Sequence, residues 1–226
     1  MKIMYITPLF WPHIGGIESL SIKLLPTMQT RGYEFLVVTS LGNVDEMGFG
    51  EYKGIKICRF PYLQSLSEFD IHMIYKGINE IAQIKDRFRP DLFHLHMSAP
   101  ISYFHIKTLH INPSPTLLTL HSYIGDFTAG KDTLLGKTIR IADWTTMVSK
   151  AVWEDVISIY PNITKRSSIV YNGIEFAENH PTPLDFSFPC IVGIGRFVNT
   201  KGFDILIDSY NLLQEKLPHA RLILVG

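Results

Sequence analysis

Cysteine is nearly absent. The chain of 226 residues has two, Cys58 and Cys190, far apart and each inside an apolar run, IKICRF and PCIVGIG. That argues against a disulfide scaffold, and both are expected to be buried free thiols. An excess of charge is missing too, since 21 Lys and Arg balance 21 Asp and Glu. A dedicated nucleic-acid binder carries a basic surplus, so nucleic acid is not an expected partner. With no global field to steer an anionic substrate, any anion site must be local. No stretch approaches the ~20 apolar residues of a membrane-spanning helix. The opening, Lys2 followed by IMYITPLFW, is broken by Pro8 and Pro12 and lacks a small-residue cleavage site, so it resembles a secretory leader only superficially and is not expected to act as one. The expected compartment is the cytoplasm, with peripheral membrane contact left open. Three fingerprints are also missing: GxGxxG of dinucleotide folds, GxxxxGK[ST] of the P-loop, and GxSxG of the nucleophile elbow.

What is present alternates. IMYIT (3–7) reads as a buried first strand. The loop PLFWPHIGG follows, then a helix over Glu18 to Arg31 with Leu20, Leu24, Leu25 and Met28 on one face. Pro26 inside it predicts a kink or broken turn, and Gly32 ends it. FLVVTS (35–40) closes a right-handed βαβ unit. GNVDEMGFGEYKG reads as a glycine-rich excursion and IKICRF as a strand near a sheet edge. Ile71, Ile74, Ile78, Ile81 and Ile84 predict a second amphipathic helix over 68–88, closed by Pro90. Strands at LFHLH (92–96), TLLTLH (116–121), TTMV (145–148) and SSIVYNG (167–173) alternate with helices near 101–110, 133–141 and 150–160. This is an α/β pattern: a Rossmann-like, mostly parallel sheet with helices on both faces. HPTPLDFSFP (180–189), rich in proline, reads as a linker. The expected domains are 1–180, a linker at 181–189, and 190–226 as the start of a second, incomplete Rossmann-like lobe.

Sites are sought beyond the carboxyl ends of the strands, where open parallel sheets bind ligands. Gly15 and Gly16 follow the first strand, where their backbone can approach a phosphate or sugar at a helix N-terminus; the bland alternative is a tight turn. Arg196 and Lys201, in GIGRFVNTKG, can clamp a diphosphate, or be two solvated loop charges. His121 ends TLLTLH, placed to bond a sugar hydroxyl or handle a proton, or to be a core-edge histidine. His94 and His96, two apart, share a sheet face, and His96 is the one expected in the cleft. No acidic or Cys ligand completes a metal set with them, so neither metal nor cofactor is expected. Ser149 is placed as an N-cap. Asn172 and Gly173 form a turn that can line a cleft. Glu154 and Asp155 read as exposed helix charges.

With these residues quoted, the chain resembles the retaining, two-lobed (GT-B type) glycosyltransferases of family 4, also called group 1. The segments that carry the likeness are ITPLFWPHIGGIES, TLHS (119–122), MVSKAV, VYNGIE and, most specifically, GIGRFVNTKGFDILIDSYNLL. The resemblance implies transfer of a sugar from a nucleoside diphosphate to an unknown glycan, lipid-linked or small-molecule acceptor, with retention and without a metal. It implies that Gly15 and Gly16 lie against donor phosphate or the transferred sugar. His121 would contact the sugar near the reacting carbon, and Arg196 and Lys201 would hold the diphosphate. Asn172 and Gly173 would line the lobe junction. Glu175 stands where the family usually has Asp.

Residues 190–226 number fewer than the about 40 below which a domain rarely stands without staples. Their exposed sheet edge is expected to pack on the first lobe, on a missing fragment, or on a second copy of the chain. The chain alone is therefore expected to transfer no sugar. Two other readings remain: a non-catalytic binding module, and a sugar-nucleotide epimerase. Leu9, Phe10 and Trp11 either meet a lipid-linked acceptor or pack as a core edge.

Overall fold

The computed structural model describes residues 1–96, 100–125, 130, 132–174 and 187–226. The chain forms two compact units, Met1–Ile174 and Glu175–Gly226. In the first, the elements run β1 (Lys2–Thr7), α1 (Gly16–Gln29), β2 (Glu34–Ser40), β3 (Gly48–Tyr52), β4 (Ile55–Phe60), α2 (Tyr62–Ser67) and α3 (Ile71–Phe88). They continue with β5 (Leu92–His96), α4 (Ser102–Lys107), β6 (Thr116–Leu120), α5 (Leu134–Ile141), β7 (Trp144–Met147), α6 (Lys150–Ile159), a 3₁₀ turn (Pro161–Arg166) and β8 (Ser167–Ile169). One eight-stranded sheet has the order β3-β4-β2-β1-β5-β6-β7-β8. Every pairing is parallel except β3 with β4. The α/β, Rossmann-like reading is thus correct.

Alternation along the strands makes two cores. Met4, Ile6, Leu36, Val38, Phe93 and Leu95 face one side, with Ile81 of α3, Phe104 of α4, Ile139 of α5 and Val156 of α6. Ile3, Tyr5, Phe35, Val37, Ile55 and Ile57 face the other, with Leu25 of α1. The division follows from handedness. A right-handed crossover stepping from β1 to β2 puts its helix on one face, and crossovers stepping the opposite way, through β5, β6 and β7, put theirs on the other. The half of α1's face that lies beyond β1 receives no crossover helix among the described residues. Its strand positions are polar: His94 and His96 of β5, Thr119 of β6 and Thr146 of β7, in register with Tyr5, Leu117 and one another.

Several expectations need revising in detail. α1 runs unbroken through Pro26, because Leu25 of the same turn is buried against the sheet and packing outweighs the local penalty. The helix expected over 68–88 begins only at Ile71, and a short helix the sequence did not announce, α2, comes before it. α2 ends at Ser67, Phe69 takes a positive φ of 53°, and α3 starts where Asp70 accepts a hydrogen bond from Met73 N at 3.0 Å. The glycine-rich excursion contains β3, which makes IKICRF the second strand from the edge. Ser149 does cap α6, accepting from Val152 N at 3.2 Å. Asp155 is more than a solvated charge, because it accepts from Ile124 N at 2.8 Å and ties the loop after β6 to α6. Glu154 makes only an exposed ion pair with Lys150 at 3.5 Å. Cys58 is a buried free thiol, its pKa pushed up to about 12 by burial, whereas Cys190, expected buried as well, is a free thiol only partly covered.

In the second unit, β9 (Cys190–Ile194), a short 3₁₀ turn (Asn199–Lys201), α7 (Phe203–Gln214) and β10 (Arg221–Val225) form a two-stranded parallel sheet under one helix. Gly193 lies beneath Leu206, Leu224 and Phe203, each within 3.0 Å of where a Cβ would stand, so a side chain there would have to push these neighbours aside. The linker expected at 181–189 lies outside the described residues up to 186, as does Glu175. No helix among the described residues is long and apolar enough to cross a membrane.

Candidate active site

Reversal of strand order between β1 and β5 creates a switch point, the place where open α/β sheets bind ligands. The loop leaving β1 is pinned there. Phe10 is fully buried in the core beneath it. Arg59 donates to the Trp11 carbonyl at 2.7 Å, and a His13 ring nitrogen bonds the Leu41 carbonyl at 2.9 Å. Phe10 therefore packs as core edge rather than meeting an acceptor, while Trp11 (41% exposed) and Ile14 (89%) stay outside. Gly15 is extended and heads α1 without a side-chain cap. The Glu18 carboxylate occupies the space a Gly15 side chain would need, whereas Gly16 faces open space. The first turn of α1 thus already holds a negative group, which balances the positive end of the helix.

Between α1 and the uncovered polar half of the sheet lies a cavity of about 250 Å³. Leu20 and Leu24 of α1 form one wall; His94, His96, Leu117, Thr119, His121, Thr146 and the segment Val170–Gly173 form the rest. His121 and His96 share a hydrogen bond, Nε2 to Nδ1, at 3.0 Å. His96 packs on Tyr5 (ring centroids 4.6 Å apart) and on His94 (4.4 Å). His94 Nε2 bonds Thr119 Oγ1 at 2.8 Å, and Thr119 Oγ1 bonds Thr146 Oγ1 at 2.8 Å. Tyr5 OH lies 2.6 Å from Ser21 Oγ. Ser21 spends its one proton on the Ile17 carbonyl (2.7 Å), so Tyr5 is the donor of that pair.

Burial keeps these imidazoles neutral. It lowers His94 to about 3, helped by His121. It holds His96 well below the usual range, helped by His94 and His121, and lowers His121 as well. Burial disfavours the charged form, and like charges at this spacing add to the effect. Three neutral imidazoles with two threonine hydroxyls make a hydrogen-bonding floor suited to an uncharged, hydroxyl-rich ligand. Among the described residues, no group of three His, Cys, Asp or Glu is arranged to hold a metal ion.

Of the residues singled out in the sequence, His121, His96, Asn172 and Gly173 meet in this cavity. Gly15 and Gly16 head the helix that walls it. Arg196 and Lys201 are exposed on the loop between β9 and α7, in the second unit. His94 lines the cavity together with His96, as their shared sheet face allows, although only His96 was expected in the cleft. Thr119 and Thr146 escape a reading of the sequence. Each sits in a β-strand with nothing local to mark it, and only the parallel register of β5, β6 and β7, which sets Thr119 beside His96 and Thr146 beside Thr119, brings them within reach of the histidines.

Comparison with known proteins extends this picture. A human (Homo sapiens) protein, a subunit of phosphatidylinositol N-acetylglucosaminyltransferase, is 25% identical, over all of this chain and 48% of its own length. The uncharacterized glycosyltransferase MJ1178 of Methanocaldococcus jannaschii is 28% identical over 92% of this chain and 56% of its own. The chain therefore spans about half the length of the curated relatives it matches. Sucrose-phosphate synthase from Thermosynechococcus elongatus superposes with a TM-score of 0.69 at 13% identity, over 100% of this chain and 62% of that one, a likeness of fold. The family model for Glycosyltransferase Family 4 matches residues 14–178. That span takes in the glycine turn and every residue lining the histidine cavity, and it is most of the sequence: the chain belongs to Glycosyltransferase Family 4.

Proposed function

We propose that the chain supplies the acceptor-side lobe, residues 1–180, and the opening of the donor lobe, residues 190–226, of a retaining glycosyltransferase. The bond from the sugar's anomeric carbon to the diphosphate oxygen breaks, an acceptor hydroxyl oxygen bonds to that carbon, and the hydroxyl proton passes to the diphosphate oxygen as the nucleoside diphosphate departs. In this reading His121 contacts the sugar near the reacting carbon, and His96, Asn172 and Gly173 line its pocket. Arg196 and Lys201 hold the diphosphate and offset its charge as it leaves. Gly15 and Gly16 admit the sugar or phosphate at the head of α1, displacing the Glu18 carboxylate. The observation that carries the reading is the neutral histidine cavity at the sheet's switch point, in a chain of this family.

The acceptor is lipid-linked in this proposal. Trp11 and Ile14, exposed beside the glycine turn, offer it apolar contact, and the name of the human relative includes phosphatidylinositol. Peripheral membrane contact follows from the same two residues. The 226-residue chain alone is proposed to bind donor without turning it over, because the two strands and one helix after residue 189 present several apolar side chains to solvent.

The test is titration of the purified chain with UDP and GDP sugars, followed by product analysis. The expected result is binding without transfer, weakened at least tenfold by Arg196→Ala or Lys201→Ala and by His121→Ala. Binding indifferent to all three substitutions refutes the site. Sugar transfer by the chain alone refutes the inactivity. Epimerised nucleotide sugar as product replaces the transferase reading with an epimerase one.

A further inference from the structure

We propose that His96 is a positioning residue for His121: joined Nδ1 to Nε2, the two neutral imidazoles act as one unit that offers a ligand hydroxyl a donor at one ring and an acceptor at the other. This rests on the functional reading above and specifies how its histidine cavity recognises a sugar.

A neutral imidazole carries one N–H and one lone pair. The 3.0 Å bond uses Nε2 of His121 and Nδ1 of His96. If His121 donates, both rings are Nε2–H tautomers, so His121 has its Nδ1 lone pair free and His96 its Nε2–H. If His96 donates, both are Nδ1–H and the two offers exchange. In either state the pair presents one donor and one acceptor, and a hydroxyl group is the ligand that uses both. Both rings line the cavity.

The surrounding groups leave this arrangement intact. Tyr5 of β1 spends its proton on Ser21 of α1. His94 is engaged by Thr119, and Thr119 by Thr146, whose hydroxyl reaches the Leu118 carbonyl at 3.5 Å. No carboxylate among the described residues bonds either ring, so nothing favours an imidazolium over the neutral pair. The Nε2–H form is the commoner one for a free histidine side chain, and we assign it to both rings. The ligand then meets an acceptor at His121 Nδ1 and a donor at His96 Nε2.

The assignment is tested by long-range 1H–15N correlation on the purified chain carrying 15N-histidine, with no sugar present. The expected result at pH 7 is the Nε2–H pattern for both rings, with neither charging near 6.5, where a free histidine does. In His96→Asn, whose side-chain carbonyl still accepts from Nε2–H, His121 keeps that tautomer. In His96→Ala, it becomes a tautomer mixture and titrates closer to 6.5. Opposite tautomers in the two wild-type rings, or a His121 signal unchanged in His96→Ala, overturns the proposal. The wild-type measurement alone suffices if His96→Ala does not fold. Because no donor is used, this outcome is independent of whether the chain binds a nucleotide sugar.

Discussion

Lys85 of α3 is fully buried, yet its ammonium meets no carboxylate among the described residues. It donates to the carbonyls of Thr108 (3.0 Å) and His105 (3.3 Å) at the end of α4 and lies 4.4 Å from the Phe93 ring centroid. The cation thus caps a helix C-terminus, where the dipole favours it. Burial nonetheless lowers its pKa to about 7. Between about pH 7 and 10.4, the unfolded chain holds a proton that the folded chain has released. Stability therefore rises with pH in that window, at a limiting slope of about 1.4 kcal/mol per unit, and is flat with respect to this group below it. The urea midpoint of the wild type is expected to climb from pH 7 to 9, and that of Lys85→Met to stay level. Equal slopes in the two proteins would falsify the assignment.

At the scale of the element, α1 carries its cost in plain view. Pro26 removes a backbone donor and crowds the preceding turn, a penalty of about 3 kcal/mol in a regular helix interior. The helix survives because Ser21 and Leu25 are buried on the sheet and Ile22 and Met28 pack beside them. Pro26→Ala is expected to stabilise the chain by about 1–2 kcal/mol, the lower part of that penalty, since the unfolded state regains freedom as well. Thermal unfolding checks this, and a lower midpoint would show that Pro26 relieves strain elsewhere. The buried strands were readable in sequence because a strand covered on both faces is nearly continuously apolar, as in IMYIT and FLVVTS. β3 was not. GFGEY has two glycines and an acid, and it becomes a strand only because β4 offers an edge to pair, Phe49 opposite Cys58. Nor was α2, whose six residues are too few to show a helical period. His121 was readable from its place at a strand end, but its bond to His96 was not.

Across the whole molecule, the second unit differs from the first in how much it leaves open. Val192, Ile194, Ile223 and Val225 occupy one face of β9 and β10 and are all exposed, Ile194 at 78%. The opposite face packs Gly193 and Leu224 against α7. An uncovered apolar sheet face invites association. Sedimentation equilibrium is expected to show concentration-dependent self-association, reduced by Ile194→Lys combined with Val225→Lys. A wild-type chain that stays monomeric at the highest concentration would remove self-association as the means of covering that face.

Order along the chain is enough to specify which segments enter the sheet, that the sheet is mostly parallel, and where along each strand polar chemistry is placed. Those properties follow from burial periodicity and turn residues, which act over a few residues at a time. That His94 reaches Thr119 and His96 reaches His121 emerges only in three dimensions. Each pair is 25 residues apart. Such pairs meet only once strand order, crossover hand and register have been set together, and no local pattern carries that information.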